Sequence, residues 1–236
     1  EFRRVLFRSS NDAFQLFYQS LQTTSWLEWL AVIAGIASVW FSKAESIWVY
    51  PVGLINTIIY TWISFIYHLP GEGAVNFYYT AMSVYGWYNW SRANEKQIKL
   101  VQITYSVRRE WIEQLLFFVC CYILLFGALT QLKELFFKEA IPWADALASA
   151  AAFTGMWLMT KKKVESWYWW ILTNMASMPL YFVKGLPLTA VYYFILLLMA
   201  VAGLWEWIRK ASKNNMSVKK IAIIGPESTE IGRAHV

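Results

Sequence analysis

The chain has 236 residues, of which 58% are hydrophobic, 19% aromatic and only 15% charged, with a formal net charge of +6. A water-soluble domain of this length carries about 25% charged residues, so the composition excludes an ordinary soluble protein. The basic excess falls in loops between long apolar runs, which makes it a topology signal and excludes a nucleic-acid surface.

The two ends read as foreign. If Glu230 to Val236 are written as codons, the complementary strand in a shifted frame encodes Arg-Val-Leu-Phe-Arg-Ser, which stands at residues 4–9. One short DNA element, similar to a sequencing adapter, therefore accounts for residues 1–9 and 230–236, and both are set aside from fold reasoning.

Between the ends, uncharged runs of about 18 residues or more read as membrane spans. Seven are present, at 26–43, 46–67, 73–91, 112–131, 143–160, 165–183 and 186–208, with charges such as Glu28, Asp145 and Glu206 only near their ends. Lys43 follows the first span. Arg92, Lys96, Lys99, Arg108 and Arg109 follow the third, and Lys161-Lys162-Lys163 the fifth. Arg209, Lys210, Lys213, Lys219 and Lys220 follow the seventh, while the even-numbered loops hold only Lys133, Lys138 and Lys184. The positive-inside rule then places the odd loops and the C-terminus in the cytoplasm and the N-terminus outside.

The chain repeats itself. Residues 53–92 match 171–210 at an offset of about 117–118, with Gly86 on Gly203, Trp90 on Trp207, Arg92 on Arg209 and Asn56 on Asn174. Glu45-Ser46 and Glu165-Ser166 each open an aromatic span. Three spans per repeat and one linking span give an all-α, polytopic membrane fold of seven transmembrane helices. The repeats run in parallel, three, one and three. Such duplication is a transporter plan with the substrate between the halves.

Polar groups at depth are costly and face a cavity or the bundle interior. The candidates are Asn56, Thr57 and Tyr60, then Asn76 and Tyr79, then Asn174, Ser177 and Tyr181. Asn offers donors and an acceptor to hydroxyls or a carboxamide. Trp87, Trp90, Trp167, Trp169 and Trp170 offer flat faces that stack on planar or cationic rings. No Lys or Arg lies at depth to hold a phosphate.

Catalysis finds little support. His68 is the single histidine outside the tail, and Cys120 and Cys121 are helix neighbours that do not face each other. Neither a zinc site nor a Ser-His-Asp triad can be assembled, and no cofactor is expected. No Asp, Glu or His sits mid-span, which argues against proton coupling and favours a facilitator.

The elements "YPVGLINTIIY" (50–60), "SVYGWYNWSR" (83–92) and "WWILTNMASMPLYFVKGLPLTAVYY" (169–193) resemble the PnuC family of nicotinamide riboside transporters. The resemblance covers nearly all of residues 25–210. It implies a SWEET-like fold in a bacterial inner membrane, a homotrimer, and facilitated diffusion with trapping by phosphorylation. Carried over by motif, it implies Trp87 and Trp90 in the third span and Trp169, Asn174, Tyr181 and Lys184 in the sixth as substrate-site residues. Thiamine or riboflavin carriers of the same family, and a SWEET-like sugar carrier, are the alternatives.

Residues 211–220 read as a polar linker, and "KKIAIIGPEST" (219–229) reads as a strand entering a phosphate-binding loop. A full P-loop needs G-x-x-x-x-G-K-[ST]. Here it stops at Gly225-Pro-Glu-Ser-Thr and lacks the Lys. The run resembles the start of a NadR-type ribosylnicotinamide kinase, either fused to the transporter or encoded next to it from Met216.

Overall fold

A computed structural model describes residues 10–66, 70–93, 100–131, 133–136 and 140–224. His68 and Gly225 to Thr229 lie outside the described residues. Those that are described are almost wholly helical. The helices are α1 (Ser10–Thr23), α2 (Trp26–Lys43), α3 (Val49–Ile66), α4 (Pro70–Ser91) and α5 (Arg108–Gln131). They continue with α6 (Lys133–Phe136), α7 (Pro142–Thr160), α8 (Ser166–Val183) and α9 (Pro187–Ile224).

Each sequence-predicted span falls on one helix, from α2 to α5 and from α7 to α9. By length and composition, Arg108–Gln131 and Pro187–Asn214 are apolar enough to cross a membrane, and Phe17–Thr23 with Trp26–Lys43 forms a pair bent by 108° that counts as a third. The bend has a local cause. Ser25 caps α2, its hydroxyl accepting from the Glu28 amide at 3.3 Å while Glu28 accepts from the Ser25 amide at 2.7 Å. This reciprocal box satisfies amides that the first helical turn leaves open.

Two segments differ from the sequence reading. Residues 211–220, expected as a linker, continue α9 as helix, and so do residues 221–224, expected as strand. A strand needs a neighbour for its amides and carbonyls, whereas a helix satisfies them internally. No β-ladder borders these residues among those described; the bridge between two described residues joins Thr104 to Lys163.

The helices pack as two groups, α2–α3–α4 and α7–α8–α9, with α5 laid on α7. The groups exchange contacts: α9 packs on α2 and α4 packs on α7. α7 accepts three neighbours because its face is alanine, with Ala144, Ala146, Ala148, Ala150, Ala151 and Ala152 all buried. Small residues let helix backbones approach closely.

The internal repeat is written in the geometry. Val49–Ile66 and Ser166–Val183 are the same length, shifted by 117 residues, and Pro70 and Pro187 start their helices at the same shift. The two turns that precede α3 and α8 share a hydrogen-bond pattern. Glu45 N donates to Ser42 O and Ser46 N to Phe41 O; Lys162 N donates to Met159 O and Lys163 N to Leu158 O. A Cβ on Gly86 would collide with the Tyr50 ring, and one on Gly203 with the Trp167 ring.

This register corrects the alignment of the asparagines. Asn56 Nδ2 donates to Ala31 O at 2.7 Å, and the matching bond is Thr173 Oγ1 to Ala148 O at 3.4 Å. Asn56 therefore corresponds to Thr173, and Asn174 to Thr57. One residue of slip turns a side chain about 100° around a helix of 3.6 residues per turn. In the same way the mate of Glu45 is Lys162, whereas Glu165 accepts from Ser106 N and Oγ at 2.9 and 2.8 Å.

Candidate functional site

The basic end of the bundle is closed by a seam between the two groups. α2, α4, α7 and the apolar part of α9 run toward it, and α3, α5 and α8 start from it. Trp90 Nε1 donates to Met159 O at 3.2 Å, and its mate Trp207 donates to Ser42 O at 3.1 Å. Tyr50 meets Trp90 edge-on at 5.2 Å, as Trp167 meets Trp207 at 5.5 Å. Trp90, assigned to the substrate site from sequence, is thus buried in the seam with its indole N–H already bonded. Flanking it, Lys161 lies 3.9 Å over the Trp157 ring. Burial lowers the Lys161 ammonium from the ordinary lysine range, against the opposing pull of Glu113 and Glu110.

At the far end of α8, Lys184 Nζ bonds Asp145 Oδ1 at 2.7 Å and lies 5.4 Å from the Tyr181 ring centre. Tyr181 stacks on Tyr193 at 5.1 Å with only 14° between planes. Tyr181 and Lys184 are therefore brought together, at the end opposite the seam.

Between these ends lies the interior that both groups share. Trp170 on α8 faces Tyr79 on α4 across the boundary at 6.3 Å, and Tyr79 meets Phe153 edge-on at 6.1 Å. One turn along α8, Asn174 is 3% exposed, and Ser177 beyond it is 2% exposed. No hydrogen bond joins either side chain to a described residue; the fully enclosed side-chain atoms without a partner among the described residues are Tyr50 Oη, Gln114 Nε2 and Trp167 Nε1. A polar side chain with free bonding capacity can accept a ligand or water. On the other wall, Asn56 is tied to Ala31 O, and a Cβ on Gly35 would meet the Tyr192 hydroxyl and the Asn56 amide. Tyr60 is half-buried on α3. Asn76 is half-buried on α4, one turn before Thr80, whose hydroxyl donates to its carbonyl at 2.9 Å.

Two of the expected aromatic contacts point elsewhere. Trp87 is 42% exposed on the outer face of α4, because its neighbour Gly86 is the residue turned onto Tyr50. Trp169 is buried but turned toward α5: its Nε1 donates to Gln114 Oε1 at 2.8 Å and its ring packs on Phe118 at 4.8 Å. Adjacent tryptophans on a helix diverge by about 100°, so Trp170 takes the interior. The sequence reading named Trp170 among the aromatic faces but left Tyr192, Tyr193 and Gln114 out of the site. Gln114 carried a usable signal, as an uncharged polar residue at the head of an apolar run.

The interior offers amide and hydroxyl groups beside aromatic faces. It has no cluster of three metal-binding side chains among the described residues.

A family model described as nicotinamide mononucleotide transporter matches residues 25–209. The chain belongs to this family. It is therefore a multi-pass membrane transporter. The chain is 26% identical over 212 residues to the nicotinamide riboside transporter PnuC of Escherichia coli strain K12, spanning 79% of this chain and 87% of that protein. It is 24% identical to the riboflavin/roseoflavin transporter RibM of Streptomyces davaonensis, over 89% of this chain and 95% of that one. A crystal structure of the vitamin B3 transporter PnuC has the same fold, with a TM-score of 0.61 at 20% identity, covering 90% of this chain and 97% of the other.

Proposed function

We propose that the chain carries nicotinamide riboside across a bacterial inner membrane by facilitated diffusion. The observation that supports the substrate is Asn174, 3% exposed on α8 one turn from Trp170, whose ring meets Tyr79 of the other group at 6.3 Å. A nicotinamide ring is flat and cationic and bears a carboxamide. Aromatic faces attract such a ring by about 0.5–2 kcal/mol, and Asn complements a carboxamide in both donor and acceptor. The riboside is favoured over its mononucleotide because the lysines and arginines of the described residues lie in loops, near helix ends or in the polar stretch of α9 after Trp207, and the fully buried one, Lys162, is paired with Glu45. Riboflavin is the second reading, supported by the Streptomyces relative and by the number of aromatic faces.

The seven long helices act as seven spans, as two parallel repeats joined by α5. The basic loops orient the seam toward the cytoplasm and the N-terminus outside. With no acid or histidine at depth, the carrier equilibrates substrate, and net uptake follows from phosphorylation inside by a ribosylnicotinamide kinase, fused or encoded next to it. A homotrimer is the proposed assembly.

The test is binding and proteoliposome uptake of nicotinamide riboside, its mononucleotide, thiamine, riboflavin and glucose, side by side. The riboside alone is expected to bind, and Asn174→Ala to weaken it by about 1–2 kcal/mol, roughly five- to thirty-fold. Preference for riboflavin moves the substrate within the family. Binding unchanged by Asn174→Ala refutes the site.

A further inference from the structure

Lys162 is 0% exposed, which is unusual for a lysine in a run of three. Its Nζ bonds Glu45 Oε1 at 2.7 Å and lies 4.6 Å from the Trp90 ring centre. Glu45 and Lys162 are mates in the internal repeat, and both hold left-handed backbone, with φ of 61° and 53°. Few residues other than glycine adopt this conformation. It aims the two side chains at each other across the boundary. Lys210 adds a second contact, with Nζ 3.8 Å from Glu45 Oε2 and 3.2 Å from Ala44 O.

Among the described residues, the ion pairs that join one group of helices to the other both end on Glu45. The remaining pairs stay within a group or tie α5 to it, including Lys184 with Asp145 at the far end. Beneath the Glu45–Lys162 pair, Ser42 Oγ lies 3.0 Å from Met159 Sδ, again repeat mates, and Asn89 Nδ2 bonds Thr160 O at 2.8 Å. The seam is therefore strapped by charge at its mouth and by indole bonds below.

We propose that Glu45 and Lys162 form the latch of the gate at the basic end: the pair holds the groups together here and must part for substrate to leave by this route. This rests on the transport reading above. An ion pair suits a latch because its partners are resolvated when it opens, whereas two apolar surfaces would resist exposure. The left-handed backbone on both sides of the mouth is a strained conformation that the paired side chains help to hold.

The first test does not depend on the substrate. In a Cys120→Ala/Cys121→Ala background, Ser42→Cys reports opening by reaction with a membrane-impermeant maleimide. Lys162→Met is the chosen perturbation, because it leaves Glu45 part-exposed and beside Lys210. Labelling of Ser42→Cys is expected to rise at least ten-fold with Lys162→Met. An unchanged rate overturns the latch, whatever uptake shows. Faster labelling in a protein that takes up no riboside leaves the latch standing and sinks the substrate. The second variant pairs Ser42→Cys with Met159→Cys. Its disulfide is expected to stop uptake reversibly while riboside binding stays within three-fold, and continued uptake through the bridged protein overturns the proposal.

Discussion

Gly203→Ala is the sharpest probe of the register between the two halves. The added Cβ collides with the indole of Trp167, which is 1% exposed and held edge-on to Trp207 at 5.5 Å. The ring has no room to retreat. Overpacking of this kind costs about 1–3 kcal/mol. The Ala gains about 0.8–1.0 kcal/mol over Gly in a helix, so the net loss is about 0–2 kcal/mol. Gly127→Ala supplies the control, since nothing lies within 4 Å of a Cβ there and only the helix gain applies. The difference between the two variants is then about 1–3 kcal/mol. Detergent-solubilised protein titrated with sodium dodecyl sulfate, followed by tryptophan fluorescence, measures it. Gly86→Ala, which drives a Cβ into Tyr50, should match Gly203→Ala in sign and size. Equal unfolding midpoints for Gly203→Ala and Gly127→Ala would refute the packing argument and, with it, the 117-residue register.

Other outcomes follow from the interior. Gln114→Leu leaves the Trp169 indole N–H buried without an acceptor and should cost about 1–3 kcal/mol in the same titration; Trp169→Phe in the Gln114→Leu background should restore part of it, and strict additivity would count against the bond. Trp170→Ala should weaken riboside binding by about 0.5–2 kcal/mol, read by calorimetry, while Trp87→Ala on the outer face leaves it within two-fold. The reverse order would return the ring contact to Trp87 and displace Trp170 from the site.

Much of the fold was legible in the sequence, because burial in lipid demands uncharged runs of span length, and the runs from 26–43 to 165–183 end within a residue of where helices end, while the run 186–208 marks the apolar part of α9. The basic loops were equally legible: Lys43, Lys161, Lys162, Lys163 and Lys210 gather at one end of the bundle, and Lys184 sits at the other. The repeat could be seen at Gly86 and Gly203, where a glycine must meet a ring. Helix continuation through 211–224 was not legible, since a polar stretch is tolerated equally by a linker and by an exposed helix.

The site was legible only in kind. Residue type says that Asn174, Trp169 and Trp170 belong at depth, but the direction of each depends on how α8 is rotated, and that is decided by α7 and α9 packed on it and by side-chain contacts from α5 and α4. Gln114 draws Trp169 to α5, and Trp170 is thereby left facing Tyr79. The three consecutive lysines show the same division. The sequence by itself determined that they lie at the basic end; a left-handed turn and a carboxylate contributed by the other half decided that Lys162 alone of them is fully buried and points inward. Partition into lipid or water is a property of each residue's chemistry, whereas facing is a property of its neighbours.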